Sequence, residues 1–172
     1  MSADEGRLGE MRRAFDSAFA AEPVAPPERV DLIALRTAGR PYAVRASDVA
    51  SVVATGTVVP FPCDEPALLG LGAVRGAPVP VYDLAALLGD GAAKAPRWTI
   101  LSHGPERLGL AFDELEGYLR VPAADLAAAP DPAAGQAATE IVRAGSSLRP
   151  VVSVASLVRR VKQRCGIPTK ER

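Results

Sequence analysis

The run from Gly70 to Gly89, Gly-Leu-Gly-Ala-Val-Arg-Gly-Ala-Pro-Val-Pro-Val-Tyr-Asp-Leu-Ala-Ala-Leu-Leu-Gly, constrains the fold more than any other part of the chain. Gly72 and Gly76 bracket Arg75 in a tight loop, where glycine tolerates unusual dihedrals. Val79–Tyr82 reads as a strand that runs straight into a helix start. Asp83 can accept backbone hydrogen bonds in the first turn of Leu84–Leu88, and Gly89 supplies a left-handed stop. A strand delivered directly into a capped helical turn is a packing device. Nothing in it is a catalytic signature.

Around this segment the chain reads as short strands with turn punctuation. Asp31–Arg36 and Pro41–Arg45 form a hairpin about a turn at Thr37–Arg40. Ser47 and Asp48 offer a cap to a short turn carrying Val49 and Val52. Val58–Phe61 is a strand that ends at Pro62. Trp98–Ser102 and Leu108–Asp113 form a second hairpin, Gly117–Val121 another strand, and Ala123–Thr139 an Ala/Pro/Gly-rich loop. Glu140–Ala144 and Pro150–Val152 close the sheet, and Ser153 can cap a last helix bearing Val154, Leu157, Val158 and Val161.

A repeat lies under this order. Tyr42, Val44, Val49 and Val52 match Leu108, Leu110, Leu115 and Tyr118 at a shift of about 66 residues. Pro80, Val81, Asp83, Leu84 and Leu87 match Pro150, Val151, Ser153, Val154 and Leu157 at a shift of about 70. Each half is a hairpin, a short turn, a proline-led strand and a capped helix start. Two small β units side by side leave a groove between them, and grooves between units are favoured binding places.

Ahead of the repeat, residues 1–22 form an amphipathic pattern. Leu8, Met11, Phe15, Ala18 and Phe19 fall at three- and four-residue steps, with Arg and acidic residues elsewhere. Prolines 23, 26 and 27 then make a semi-rigid linker. The expected division is residues 1–29 as helix and linker, 30–162 as the β domain, and 163–172 as a tail.

The composition limits the function. The chain has 172 residues, enough for one domain with a core that needs no metal or disulfide. Lys plus Arg and Asp plus Glu are both 20, so a nucleic-acid clamp, which needs a basic face, is disfavoured. Cys63 and Cys165 read as free thiols of a reducing compartment. No apolar run approaches the ~20 residues of a membrane span and no secretory signal is seen, so a cytoplasmic protein without direct membrane insertion is expected.

The candidate chemistry is sparse. The one histidine, His103, sits in a turn with no evident nucleophile or orienting acid near it in sequence. The patterns CxxC, HExxH and GxxxxGK[ST] do not occur. Asp83 and Asp113 read as cap and strand end. The sequence therefore predicts no catalytic residue, no metal and no cofactor. Arg75 is the candidate for a protein interface, since guanidinium groups combine charge, planarity and a long apolar stem. Val49 and Val52 are read either as core or as an exposed ledge for a partner helix.

Taken in order, these pieces resemble the CheW-like coupling domains of bacterial chemotaxis over about residues 30–161. Leu32–Leu35, Tyr42-Ala-Val44 and Val49-x-x-Val52 resemble the family's first hairpin and the turn after it. Gly70–Gly89 resembles its central Leu-Arg-Gly, Pro-Val, Asp-Leu signature. Leu108–Asp113 with Tyr118–Val121, and Pro150–Leu157, resemble its later strands and closing helix. The resemblance implies an all-β fold of two five-stranded SH3-like barrels about a pseudo-twofold axis. It implies a non-enzymatic adaptor that bridges the cytoplasmic tip of a chemoreceptor to the regulatory domain of a histidine autokinase. By the same resemblance, Arg75, Val49, Val52 and Gly109 fall on the receptor-binding groove. Two positions depart from the family pattern: Ser51 stands where many members carry an acidic residue able to pair with the signature arginine, and Ala73 where many carry Asn. These departures motivate the alternative of a divergent member that has lost one partner and serves a dedicated signalling or motility pathway. A small β-barrel enzyme or ligand-binding protein is the rival from another class.

Overall fold

The computed structural model describes residues 28–74, 76–93, 95–104, 107–129, 137–144 and 147–165. The amphipathic pattern of residues 1–22, Arg75 and the chain after Cys165 lie outside them.

The described residues form twelve strands and two α-helices; the strands read from the sequence recur in order, and Val49–Ala54, Leu68–Val74 and Leu126–Ala128 are added to them. In the first half, β1 (Arg29–Thr37) and β2 (Arg40–Arg45) form a hairpin. Its two-residue turn holds Ala38 at φ +47° and Gly39 at φ +76°, the paired positive values that a tight hairpin with native twist requires. After a single 3-10 turn at Ala46–Asp48 come β3 (Val49–Ala54), β4 (Val58–Val59), β5 (Leu68–Val74), β6 (Ala77–Asp83) and α1 (Leu84–Leu88). The second half repeats this with β7 (Trp98–Ser102), β8 (Gly109–Phe112), β9 (Glu114–Pro122), a 3-10 turn at Ala123–Asp125, β10 (Leu126–Ala128), β11 (Ala138–Ala144), β12 (Ser147–Val152) and α2 (Val154–Cys165).

The strands form two six-stranded sheets. Sheet 1 runs β9-β1-β2-β12-β11-β10 and sheet 2 runs β3-β7-β8-β6-β5-β4. Exchanging each strand with its counterpart in the other half turns one order into the other, which is the expected pseudo-twofold. The registers obey the same rule. Val151 and Val152 pair in parallel with Ala43 and Val44, while Val81 and Tyr82 pair in parallel with Gly109 and Leu110. Val52 opposite Ile100 corresponds to Tyr118 opposite Ile33. Even the irregularities recur: the ladders skip Ala50 and Glu116 at one position, and Leu69 and Thr139 at another.

One feature differs from the expectation of two five-stranded units lying side by side. Each hydrogen-bonded sheet has six strands and draws on both halves. The β1–β2 hairpin joins the late strands of the second half, and the β7–β8 hairpin joins those of the first. Within each sheet the two edge strands are neighbours in sequence, three residues apart: β3 and β4 in one, β9 and β10 in the other. A sheet whose edges are tethered this closely must curl on itself, which gives each sheet its barrel character.

The capping devices of the two α-helices hold as read. Asp83 Oδ1 accepts from the amides of Ala85 and Ala86 at 2.9 and 3.3 Å, and its Oδ2 accepts from Ala93 N at 2.8 Å. Gly89 closes α1 at φ +85°. Ser153 Oγ accepts from Ser156 N at 3.2 Å at the start of α2. In each half the capping residue also donates its own amide, Asp83 N to Ala67 O and Ser153 N to Ala137 O.

A shared core joins the two sheets. Leu35, Tyr42 and Val44 from sheet 1 pack with Tyr82, Ile100, Leu110 and Phe112 from sheet 2. Leu84 and Leu87 of α1 and Val154, Leu157 and Val161 of α2 complete it. At roughly 1.5–3 kcal/mol per fully buried large side chain, this cluster supplies much of the hydrophobic stabilisation and fixes the sheets to one another. A second cluster, Leu32, Ala43, Val121, Val142 and Val151, fills the inside of sheet 1. Ion pairs flank it: Glu116 joins Arg36 and Arg149, and Arg45 meets Glu140 at 2.6 Å. On the other face of sheet 1, Arg120 meets Asp31 at 2.8 Å.

Candidate protein-binding site

β3, an edge strand of sheet 2, carries two of the four candidate residues. The sequence reading placed Val49 and Val52 on a capped turn. The turn instead ends at Asp48, it has no side-chain cap, and both valines lie on the strand. Beta-branched residues fit a pleated surface, and the run Val49-Ala-Ser-Val-Val fits it better than a helical turn. Val52 lies opposite Ile100 and Val49 opposite Ser102. Directly paired residues share a face, so both valines extend the shared core to the sheet edge. They are half-buried and packed against that core.

Ser51 lies opposite Leu101 and looks to the other face. With Val74, Val79, Leu101, His103 and Arg107 it lines an open depression of about 320 Å3. This is the mouth of the sheet 2 barrel. The β5–β6 hairpin forms one wall, and Val74 pairs with Ala77 to close it. Arg75, which the hairpin carries in sequence, lies outside the described residues. The structure thus brings Ser51 to the hairpin on which the signature arginine sits.

Gly109 is placed differently. It is buried on β8, between Val81 on one side and Leu101 on the other, two strands from β3. A Cβ there would stand 2.9 Å from Thr99 Cγ2 and 3.2 Å from Val81 Cγ2. Its evident effect is to let three strands close up behind the depression.

Sequence reasoning passed over a set of exposed apolar side chains. Val59 and Phe61 stand out beside β4, Leu148 beside the β11–β12 turn, and Leu115 and Tyr118 on β9. Alternation alone cannot distinguish such residues from core. For Leu115 and Tyr118 the signal was present in the repeat, which pairs them with Val49 and Val52. Asp31 draws charge to this strand: hydrogen bonds from Arg120 and Tyr118 hold its carboxyl below the usual carboxylate range, and Asp31 in turn raises the Tyr118 phenol. Elsewhere, burial and then Asp90, which accepts from its hydroxyl, push the Tyr42 phenol up to about 12. Tyr42 is thereby a fixed, neutral hydroxyl.

Among the described residues, no group of three or more His, Cys, Asp or Glu side chains could hold a metal ion. No described helix is long and apolar enough to cross a membrane.

A doubled, interleaved β scaffold with a shallow depression and an apolar edge strand is the class that the geometry defines. The family model of the CheW-like domain matches residues 31–162, and the chain belongs to that family, whose proteins are non-enzymatic scaffolds. The fold is similar to that of the scaffolding protein TtCheW from Thermoanaerobacter tengcongensis, with a TM-score of 0.69 at 17% identity. The likeness covers 79% of this chain and 92% of that one. No curated protein matches the chain.

Proposed function

We propose that the chain, acting through residues 30–162, is an adaptor in a chemotaxis-type complex. In this reading it couples the cytoplasmic tip of a chemoreceptor to the regulatory domain of a histidine autokinase, in the cytoplasm and without nucleic acid or membrane insertion. The observation that carries it is the family match across residues 31–162, on a fold whose sheet 2 places Val49 and Val52 at an edge and Ser51 beside the Arg75 hairpin. The receptor would lay an apolar helical face along β3, with Arg75 at the rim. Gly109 would act from behind, by keeping β8 close.

The energetics suit a docking site. Half-buried valines have apolar surface left to cover, at roughly 25 cal/mol per Å2 before association entropy is subtracted. Co-sedimentation with a receptor tip and, separately, with a kinase regulatory domain tests the reading. Binding to both is expected; binding to neither overturns it. Arg75→Glu is expected to weaken receptor binding by about tenfold or more while leaving Tm nearly unchanged. A large loss of Tm would instead make Arg75 structural. Ser51 favours one second reading. Without a carboxylate at that position, Arg75 lacks the partner that many family members give it, and a chain that docks only one of the two proteins would show binding in one assay and none in the other.

A further inference from the structure

The pseudo-twofold carries the β3 edge onto β9. Val49 and Val52 become Leu115 and Tyr118, opposite Leu35 and Ile33 just as the valines lie opposite Ser102 and Ile100. The two ledges are not equally covered. The valines are half-buried, whereas Leu115 is 38% and Tyr118 59% exposed. Leu35 belongs to the shared core and Ile33 packs against it, so the β9 ledge is an apolar continuation of that core, left open at the edge of sheet 1.

The chain ahead of the described residues arrives at the end of this ledge. Glu28 O accepts from Ala123 N, and Arg29 pairs with Pro122. Along β1 the face reads Arg29, Asp31, Ile33, Leu35, and along β9 it reads Pro122, Arg120, Tyr118, Leu115. From Arg29 back to the level of Tyr118 is four residues of strand, about 13 Å. The six residues Pro23–Glu28 reach about 19 Å in an extended proline-rich form. That suffices to turn the preceding segment back over the ledge. Leu8, Met11, Phe15 and Phe19 fall at three- and four-residue steps, a spacing that in a helix would gather them into one apolar stripe in need of cover.

We propose that residues 8–19 dock in cis on the Leu115–Tyr118 ledge of β9. They would close the second of the two pseudo-equivalent faces and leave only the β3 face open to a partner helix. The device would give a two-faced fold a single-sided docking behaviour. It stands on the β9 geometry and the reach of the linker, and does not depend on which protein occupies β3.

The test uses the full chain with a photo-crosslinking benzoylphenylalanine at position 15. Irradiation is expected to join that residue to the peptide containing Leu115 and Tyr118 within one molecule, with a yield independent of protein concentration. Crosslinks between two copies that rise with concentration would overturn the proposal in favour of a dimer. Crosslinks only to other parts of the chain would overturn it outright. A second measurement covers a silent crosslinker. Phe15→Asp with Phe19→Asp is expected to lower Tm by about 3–6 °C in the otherwise unaltered chain. In a Leu115→Ser, Tyr118→Ser background the same pair should lower it by less than about 1 °C. Equal falls in both backgrounds would sink the proposal.

Discussion

The two barrels share a plan and differ in what fills them. Inside sheet 1 lie Leu32, Ala43, Val121, Val142 and Val151. Their counterparts in sheet 2 are Thr99, Gly109, Thr55, Gly72 and Val81. One interior is packed with branched apolar side chains. The other is contracted about two glycines and a threonine pair, with Thr55 Oγ1 and Thr99 Oγ1 2.8 Å apart. The mouths differ in the same sense. In sheet 1 the place of Val79 is taken by Arg149, which reaches Glu116 and stops the opening with charge. In sheet 2 Val79 leaves the depression beside Ser51. A duplicated scaffold can thus fill one copy and leave the other open, by changes of side-chain volume and charge at equivalent positions.

The largest test of this contrast lies where β4 crosses β5. Gly70 has φ +141°, and a Cβ there would stand 2.1 Å from the carbonyl oxygen of Val59. Its counterpart in sheet 1 is Glu140, which has room for a full side chain and pairs with Arg45. Gly70→Ala is expected to cost about 4 kcal/mol or more, from backbone strain and a clash with main-chain atoms that cannot step aside. Glu140→Gly should cost only about 1 kcal/mol. Denaturant titration of both variants decides it; similar costs would break the contrast.

Gly109 and Ala43 give a finer test. Gly109→Ala pushes against a threonine methyl and should cost about 1–2 kcal/mol. Thr99→Ser removes that methyl and keeps the hydroxyl, so most of the loss should return in the double variant. Ala43→Gly, in the filled barrel, should cost about 1 kcal/mol with no such rescue.

The smallest effect concerns Glu116, which occupies the bulge position that Ala50 holds in sheet 2. Burial pulls its carboxyl upward, but hydrogen bonds and charge from Arg149 and Arg36 outweigh this and hold it below the ordinary 4.5. A carboxyl with a lowered folded-state pKa stabilises the fold fully above its unfolded value. That stabilisation is lost as pH falls through the lowered value. Glu116→Gln should therefore reduce Tm slightly at pH 7, by an amount worth less than about 1 kcal/mol. The difference from the unaltered chain should shrink as pH falls below 4.5 and vanish once the carboxyl is protonated in the folded state as well. A difference that persists in acid would show that the side chain acts by packing.

Much of this architecture was legible in the residues. The shifts of about 66 and 70 residues reappear in the parallel pairings Val44–Val152 and Tyr82–Leu110. Asp83, Gly89 and Ser153 perform the capping that their chemistry announced. Three things were not legible. β5 carries no strand signal of its own, because Gly70 and Gly72 weaken it and their reason is a close approach by β4 and β6 that no local pattern records. β10 was lost in an alanine-rich stretch for want of alternation. The interleaving was invisible because strand partners as distant in sequence as Val81 and Gly109, or Ala43 and Val151, leave no mark on local composition. At the candidate binding face, Val49 and Val52 lie on a strand and not on the capped turn that the sequence suggests. The burial of Gly109 could come only from the packing around it.

The exchange of hairpins between halves has an evolutionary corollary. If the fold arose by doubling of one gene segment, the ancestral product would have carried a hairpin without a sheet of its own. Two separate copies could still have satisfied each other by handing these hairpins across. The present chain would then be a fused homodimer, and its two ledges the relics of a once symmetrical partner.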